Sequence, residues 1–363
     1  MAGGDVQRPM LSRQIGLPKH AISDLLAGLE IRGMVQVAGA FDGLPGRSQQ
    51  SYTLRADAAL ALGFDLGGTK LAGALCDMRG TILAERVEAT RRDGAADLVA
   101  QIATMADELC ADADLPRLHV RQSVIGVPAA VDPTSRVLSL AGNLQGLEDP
   151  SFMAELAAAL GGTVHLDNDV NLALIAEIAQ GRAQGQANVV FVALGTGIGS
   201  AMLINGHLLR GAHGGAGEIG YMPLWHLAPA GEAPLEQRVG EAGIRQLYVS
   251  AGGSADATVR EIFDAASQGD AAALSALDGA AESLSRALVC LLSVVDADLV
   301  VFGGSIGARE EFIARVRDHV GRAWMRPLQI RRSDAGGRAG LLGALELSRQ
   351  HMLEQLFGPL PQN

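Results

Sequence analysis

The stretches FDLGGTKLAGAL (Phe64–Leu75) and VALGTGIGSAML (Val192–Leu203) decide the fold of this 363-residue chain. Each consists of an apolar run, a glycine-rich turn and a second apolar run, a pattern that predicts strand, turn, strand. They open the two halves of the chain at equivalent places. Strand meanders followed by alternating helices and strands, twice over, predict two α/β lobes.

The hydrophobic pattern around these stretches supplies the other elements. Predicted strands cover 60–66, 71–77, 81–87, 122–127, 164–166, 188–194, 198–204, 207–210 and 299–303. Predicted helices cover about 95–111, 170–180, 237–290, 309–322 and 340–356. We predict three units: an N-terminal segment 1–57, a first lobe 58–182 and a second lobe 183–363.

The N-terminal segment 1–57, called the head below, has a pattern of its own. Apolar residues recur at helical spacing on both sides of Gly16-Leu17-Pro18, and a Gly/Pro-rich tip at 41–48 separates two alternating runs. Helix, tight turn, helix and hairpin predict a helix-turn-helix with a wing. Residues 1–60 hold six Lys/Arg and five Asp/Glu. A charge this close to neutral fits either a DNA-binding module or a packed helical hairpin without a ligand.

Composition excludes several classes of protein. With 48% hydrophobic and 19% charged residues, the chain is typical of a packed protein rather than a disordered one. No apolar run approaches the roughly 20 residues of a membrane span, and the N-terminus lacks a signal-peptide core, so we expect a cytoplasmic protein with no membrane partner. The net charge of −11 argues against a nucleic-acid-binding surface over the whole molecule. Cys76, Cys110 and Cys290 are far apart in apolar segments, which predicts buried, reduced thiols.

Two segments carry residues suited to chemistry. In the turn Asp65–Lys70, glycines let backbone N–H groups approach an anion, while Thr69 and Lys70 add a hydroxyl and a charge. A plain hairpin turn is the alternative, and GxxxxGK[ST] is absent. In HLDNDVN (His165–Asn171), three Asx-type side chains follow a short strand just before a helix. A carboxylate there can take a proton from a substrate hydroxyl, or Asp169 can simply cap the helix.

In order and spacing these motifs resemble the signature of the ROK family (repressors, open reading frames and sugar kinases). The resemblance rests on Asp65–Lys70, Gly126–Asp132, Gly142–Leu144, Asp167–Asn171, Leu194–Tyr221 and Val301–Gly307. It covers about 60–350, nearly the whole body of the chain. It implies a two-lobed, actin-like ATPase (ribonuclease H-like) sugar-kinase fold of the α/β class, with a small winged-helix remnant at the N-terminus.

The resemblance also implies roles for individual positions. Asp169 would be the general base that deprotonates a sugar hydroxyl for attack on the γ-phosphate of ATP. The sugar would be bound by Asn143, Asn168, Asp169, Glu218 and Glu236. ATP would lie against the turns formed by Asp65, Gly67, Gly68, Thr69 and Lys70, by Gly195, Thr196 and Gly197, and by Gly303 and Gly304. The cofactors of an active kinase would be ATP and Mg²⁺, with the metal held by Asp65 through water.

Two departures from the family pattern affect the expected site. Many members carry His at the position of Tyr221, so one partner of the sugar hydroxyls is missing here. They also carry a CxCGxxGCxE loop that completes a zinc site, whereas the segment 225–237 contains no cysteine. Zinc takes about four N or S ligands, which His213 and His226 cannot supply, so we expect no zinc.

The head resembles the winged helix-turn-helix of the family's repressors. The resemblance implies that Lys19, His20 and Ser23 face the DNA groove and that Arg47 lies in the wing. Such repressors have a further helix before this motif, and residues 1–7 cannot form it. We therefore expect a partial module that binds a DNA operator weakly.

Two functions follow as expectations. The first is a sugar-responsive transcriptional regulator whose kinase-like body binds a carbohydrate, which the head favours. The alternative is an active ATP-dependent kinase for a hexose or N-acetylhexosamine that uses Asp169 as general base, which the intact Asp65–Lys70 turn favours. In either case we expect a homodimer or homotetramer, since paired heads can engage paired half-sites.

Overall fold

The computed structural model describes residues 5–42, 48–140, 144, 147–149, 151–224, 227, 229 and 231–358. In the head, two helices lie against a small antiparallel sheet. Its elements are β1 (Val6–Gln7), α1 (Arg8–Ile15), α2 (Lys19–Ile31), β2 (Val35–Asp42) and β3 (Ser48–Leu54). Both β1 and β2 pair with β3. The two helices are close because Gly16 takes φ +75°, which a residue with a Cβ rarely adopts.

The first half of the body forms a five-stranded mixed sheet. Its strands are β4 (Leu60–Leu66), β5 (Lys70–Asp77), β6 (Ile82–Ala89), β7 (Val120–Val127) and, after the short hairpin β8 (Ala130–Val131) and β9 (Leu138–Ser139), β10 (Thr163–Asn168). The order is β10-β7-β4-β5-β6. The meander β4–β6 is antiparallel, and β7 and β10 join it in parallel.

The second half repeats this topology. Its strands are β11 (Val189–Leu194), β12 (Ile198–Ile204), β13 (His207–Leu208), β14 (Leu299–Gly303) and β15 (Gln329–Arg332). The order β13-β12-β11-β14-β15 again joins an antiparallel meander to parallel strands. The predicted duplication and the α/β fold class are therefore confirmed.

Helices pack against both sheets. They are α3 (Ala95–Asp112), α4 (Phe152–Leu160), α5 (Asp169–Gln180), α6 (Glu236–Val239), α7 (Glu241–Ser250), α8 (Val259–Ser267), α9 (Ala271–Val295), α10 (Glu310–Ala323) and α11 (Ala339–Phe357). In α3, the spacing of Leu98, Ile102 and Leu109 places all three in the core. At the start of α8, Thr258 and Glu261 form a capping box. None of the helices described is long and apolar enough to cross a membrane.

Helix α11 links distant parts of the molecule. It crosses α5 so closely that a Cβ at Gly343 would fall 1.7 Å from the carbonyl oxygen of Leu172. It also lies on β4, where a Cβ at Gly63 would be 2.6 Å from the backbone nitrogen of Leu345. At its far end, the carbonyl oxygen of Leu356 accepts a hydrogen bond of 3.0 Å from Arg32 Nη2. The head and the first sheet therefore share α11 as a neighbour.

Several details differ from the sequence-based expectations. Helix α4 and strand β15 were not predicted, because α4 is Ala-rich and β15 has a single buried residue, Ile330. Cys76 and Cys110 are buried as expected, but Cys290 is exposed on α9. The apolar segment around Cys290 belongs to a helix whose outer face reaches solvent, so the expectation of a buried thiol was wrong there. The unit boundaries 1–57, 58–182 and 183–363 stay predictions.

Candidate functional site

A cavity of about 440 Å³ lies between the two halves of the body. Pro128, Asn168 and Asp169 line it from the first half, and Gly195, Gly197, Glu218 and Glu236 line it from the second. Tyr221, Leu140 and Ala233 complete much of its remaining wall. Residues far apart in sequence therefore form one site, at the ends of β10 and β11, where α/β folds place their ligands.

The first turn of α5 positions Asp169. The helix cap is Asn168 and not Asp169: Asn168 Oδ1 accepts the backbone N–H groups of Val170 at 2.9 Å and Asn171 at 3.2 Å. Capping therefore does not account for the carboxylate of Asp169, which is half-buried and lines the cavity. Its Oδ1 accepts the N–H of Val170 at 2.9 Å.

The electrostatic surroundings of Asp169 raise its pKa to about 7. Burial is the main cause, and the neighbouring carboxylates of Asp65 and Glu218 add to it. A carboxylate with this pKa is ionised in part at neutral pH and holds a transferred proton better than an ordinary aspartate. Those are the properties of a general base.

A second, smaller cavity of about 150 Å³ adjoins Asp169. Asp65 lines it together with glycines 304, 336, 337 and 340. Asp169 lines both cavities, so a ligand in one reaches the same carboxylate as a ligand in the other. Burial raises the pKa of Asp65, and the nearby Lys70 opposes that shift. Gly340 packs closely on this carboxylate: a Cβ at position 340 would lie 2.8 Å from Asp65 Oδ2.

The predicted phosphate turn lies beside this smaller cavity. The N–H of Gly67 donates to the carbonyl oxygen of Lys70 at 2.9 Å and closes the turn between β4 and β5. Lys70 Nζ donates to the carbonyl oxygen of Gly337 at 3.4 Å. Of this turn, Asp65 lines the smaller cavity, whereas Gly67, Gly68, Thr69 and Lys70 line neither of the two cavities that Asp169 lines.

The other two predicted turns meet each other in space. Gly195 and Gly197 line the larger cavity, and Gly304 lines both cavities. The carbonyl oxygen of Leu194 accepts the N–H groups of Ile306 and Gly307, each at 3.0 Å. Thr196 is exposed, and Gly303 is buried against Phe191.

The two predicted sugar-binding glutamates face the larger cavity. Burial raises the pKa of Glu218, and the neighbouring Glu236 adds to the shift. Glu236 Oε2 accepts the N–H of Ile198 at 3.0 Å, which joins this carboxylate to the turn between β11 and β12.

The remaining predicted residues are the two asparagines of the sugar site and the residues of the head expected to face DNA. Asn168 lines the cavity, but besides its capping oxygen its Nδ2 donates to the carbonyl oxygen of Ala129 at 3.2 Å. Asn143 and Arg47 lie outside the described residues. In the head, Lys19 and His20 are exposed at the start of α2, and the hydroxyl of Ser23 donates to the carbonyl oxygen of Lys19 at 3.0 Å.

The zinc question concerns the loop around residues 213–237. His213 is exposed, and its Nδ1 lies 3.2 Å from Asp132 Oδ2. The backbone N–H groups of Ser135 and Thr134, followed by His213, lower the pKa of Asp132 to about 2. Within the described ranges, no group of three or more His, Cys, Asp or Glu side chains is placed to hold a metal ion. His226 lies outside those ranges, so the absence of zinc stays a prediction.

Sequence reasoning assigned no role to one further pair beside the site. Arg210 follows β13, and its Nη2 lies 2.6 Å from Oδ2 of Asp167 at the end of β10. Both residues belong to quoted motifs, yet nothing in the sequence indicates that they pair.

Comparison with known proteins gives one family and several relatives. A model described as the ROK family matches residues 61–351. A bifunctional enzyme NanE/NanK of Brucella melitensis is 32% identical over 299 residues, which are 79% of this chain and 53% of that enzyme. The chain therefore spans about half the length of that relative.

Two solved structures are similar over long stretches. A ROK family glucokinase from Streptomyces griseus, in complex with glucose and AMPPNP, is 26% identical with a TM-score of 0.66 and covers 80% of this chain and all of its own. A ROK family transcriptional regulator, a homologue of the E. coli MLC protein, has a TM-score of 0.73 and covers 97% of this chain and 93% of its own. At 20% identity, the regulator shows a shared fold alone.

Proposed function

The chain belongs to the ROK family, and from this premise we propose that its body binds a carbohydrate between the two halves and transfers the γ-phosphoryl group of ATP to a sugar hydroxyl. One observation carries the proposal: Asp169 lines both cavities and has a pKa of about 7. A base at the junction of two adjoining cavities can contact an acceptor in one and face a phosphate in the other. The similarity to the ROK family glucokinase from Streptomyces griseus supports this assignment.

In this proposal the larger cavity holds the sugar. Asp169 accepts the proton of the attacking hydroxyl at its carboxylate, while Glu218 and Glu236 accept hydrogen bonds from other hydroxyls. Asn168 positions Asp169 by capping α5, and its Nδ2 keeps one N–H that can donate to the sugar. Asn143 keeps its predicted role as a further sugar ligand. Phosphoryl transfer depends on positioning and charge more than on covalent chemistry, and these carboxylates supply the positioning.

The smaller cavity suits the phosphate side of the reaction. N–H groups of the glycine turns that are not bonded within the turns would donate to a phosphate, and Lys70 brings a positive charge to its turn. The described residues contain no cage of three metal ligands, but Mg²⁺ usually keeps several waters and takes only one or two carboxylates. Asp65 fits that requirement and would hold Mg²⁺ through water, which neutralises charge on the phosphates when bound.

The head favours a second function, that of a sugar-responsive transcriptional regulator. Its two helices, tight turn and hairpin have the predicted order, and the regulator of similar fold matches nearly the whole chain. Lys19 and His20 are exposed on α2, where they can reach a DNA operator. A homodimer or homotetramer would present paired heads to paired half-sites. We propose this role alongside the kinase activity, since fold does not decide between them.

A thermal-shift panel tests the first function directly. D-glucose, D-mannose, N-acetyl-D-glucosamine and N-acetyl-D-mannosamine are each added with and without Mg-ATP. A sugar that binds the native state raises the melting temperature by mass action, and ADP release then reports transfer. If no sugar on the panel shifts the melting temperature, the carbohydrate assignment is wrong. If a sugar binds without ADP release, while sugar changes operator affinity in a DNA titration, the regulator is the better assignment.

A further inference from the structure

The ion pair of Arg210 and Asp167 joins the two halves of the body beside the larger cavity. Arg210 Nη2 and Nε lie 2.6 and 3.2 Å from Asp167 Oδ2. The side chain of Asp167 is only 7% exposed. Asp167 is the penultimate residue of β10 in the first sheet, whereas Arg210 follows β13 in the second.

The second oxygen of Asp167 holds the start of α5. Oδ1 accepts the N–H of Asn168 at 2.9 Å and Nδ2 of Asn171 at 3.1 Å. Asn168 and Asn171 flank Asp169, so the carboxylate of Asp167 fixes the turn from which Asp169 projects. Each carboxylate oxygen of Asp167 therefore accepts two hydrogen bonds, which is about the number that one such oxygen can accept.

The backbone of Arg210 is hydrogen-bonded to the loop that carries Glu218. Its carbonyl oxygen accepts the N–H of Ala216 at 3.3 Å. Gly214 has φ +79° and approaches Val131 so closely that a Cβ would fall 2.1 Å from its carbonyl oxygen. Gly217 has φ +96° and lies equally close to Ser200. The short loop from Arg210 to Glu218 is therefore held by contacts to the backbone of Arg210, Val131 and Ser200.

We propose that Arg210 is a positioning residue: by holding Asp167, it sets the carboxylates of Asp169 and Glu218 in one alignment toward a shared sugar. The inference rests on the proposed function, since it requires a sugar in the larger cavity. A planar guanidinium suits this task because Nε and Nη2 both donate to Asp167 Oδ2 from fixed directions. A lysine ammonium has no such fixed pair of donors. Arg210 touches no reacting atom in this account.

The test measures sugar affinity by calorimetry, using the panel sugar that the parent protein binds most tightly. We expect Arg210→Gln to weaken binding about tenfold, because small displacements of aligned groups have large effects. Arg210→Lys keeps the charge without the fork and should recover part of the loss. The matched control is Arg182→Gln, which breaks an exposed Arg182–Asp334 pair of 2.8 Å away from the cavity and should leave affinity unchanged.

A double variant separates positioning from stability. Arg210→Gln/Asp167→Asn leaves no unpaired buried charge, so it should fold even if Arg210→Gln does not. The fold-loss of sugar affinity in the double variant should be smaller than the product of the fold-losses in Arg210→Gln and Asp167→Asn. If Arg210→Gln does not fold, Arg210→Lys takes its place in this comparison. If the pair were purely structural, the variants would have lower melting temperatures, but their sugar affinity, measured well below those temperatures, would equal that of the parent. That result would overturn the inference. If the parent binds no sugar, the proposed function and the inference fall together; if the parent binds sugar and the variants bind it equally well, the inference alone falls.

Discussion

Gly197 lies directly against the carboxylate of Glu236, and a Cβ at position 197 would fall 2.3 Å from Glu236 Oε2. The same oxygen accepts the N–H of Ile198 at 3.0 Å. Gly197 does not have a positive φ, so close approach rather than backbone conformation explains the glycine. A turn expected to face the nucleotide is thereby joined to a carboxylate expected to face the sugar.

This contact predicts the effect of a single methyl group. Gly197→Ala should weaken sugar binding about tenfold, because Glu236 has to leave its place against the turn and with it the N–H of Ile198. Calorimetric titration of the variant measures the effect. Gly321→Ala is the control, since a Cβ there meets no atom within 4 Å. Equal affinity of the two variants would show that Glu236 does not contact the sugar.

Replacement of Asp169 separates catalysis from binding. Asp169→Asn should reduce phosphoryl transfer by about 10²–10⁴-fold, because an amide keeps the shape of the carboxylate but does not accept the proton. Sugar binding should be largely retained. Coupled measurement of ADP formation, together with calorimetry on the same preparation, checks both statements. Transfer at the parent rate would place the base on another residue.

The pH dependence of the reaction should report the same group. The pKa of Asp169 is raised to about 7, and the group acts in its deprotonated form. The value of kcat/KM should therefore be flat above this pH and fall about tenfold per unit below it. Asp132→Asn serves as the control, because the pKa of Asp132 is about 2 and its loss should not move the limb near neutrality. A profile that stays flat down to pH 5 would contradict the role of Asp169.

Local patterns in the sequence were sufficient to predict most of the sheet elements. Strands β4, β12 and β14 have the predicted bounds, since apolar runs ended by glycine turns are local signals. The position of Asp169 between a strand and a helix was predictable for the same reason. Its elevated pKa was not, because burial, which is the main cause, and the approach of Asp65 and Glu218 arise only in the folded chain.

Features that depend on tertiary structure were missed. The pairing of Arg210 with Asp167 joins residues 43 positions apart, and neither carries a local mark of its partner. The sequence also gave no sign that Asn168 rather than Asp169 caps α5, since both residue types are good caps. Strand β15 is polar and lies at a sheet edge. Because only one of its residues is buried, its hydrophobic pattern is weak.

The composition of the 225–237 segment predicts the metal content of the protein. Purified protein should contain no stoichiometric zinc, because that segment has no cysteine and His213 is engaged with Asp132. Chelators should leave the melting temperature unchanged. Elemental analysis that finds one zinc per chain would show that the 213–237 loop binds metal through other ligands.

Tyr221 is the position where this cavity differs from the pattern expected of its family. The residue is 37% exposed, and it lines the cavity together with Leu140 and Ala233. A histidine here would offer an imidazole to a sugar hydroxyl in place of a phenol. We expect Tyr221→His to tighten binding of the preferred panel sugar roughly three- to tenfold, which corresponds to one net hydrogen bond of about 1 kcal/mol. Tyr221→Phe, which keeps the ring and removes only the hydroxyl, shows whether the phenol itself binds the sugar. Calorimetry on the three proteins decides the matter: weaker binding by both variants would mean that the phenol hydroxyl is a sugar ligand and that this cavity selects its sugar differently from the family pattern.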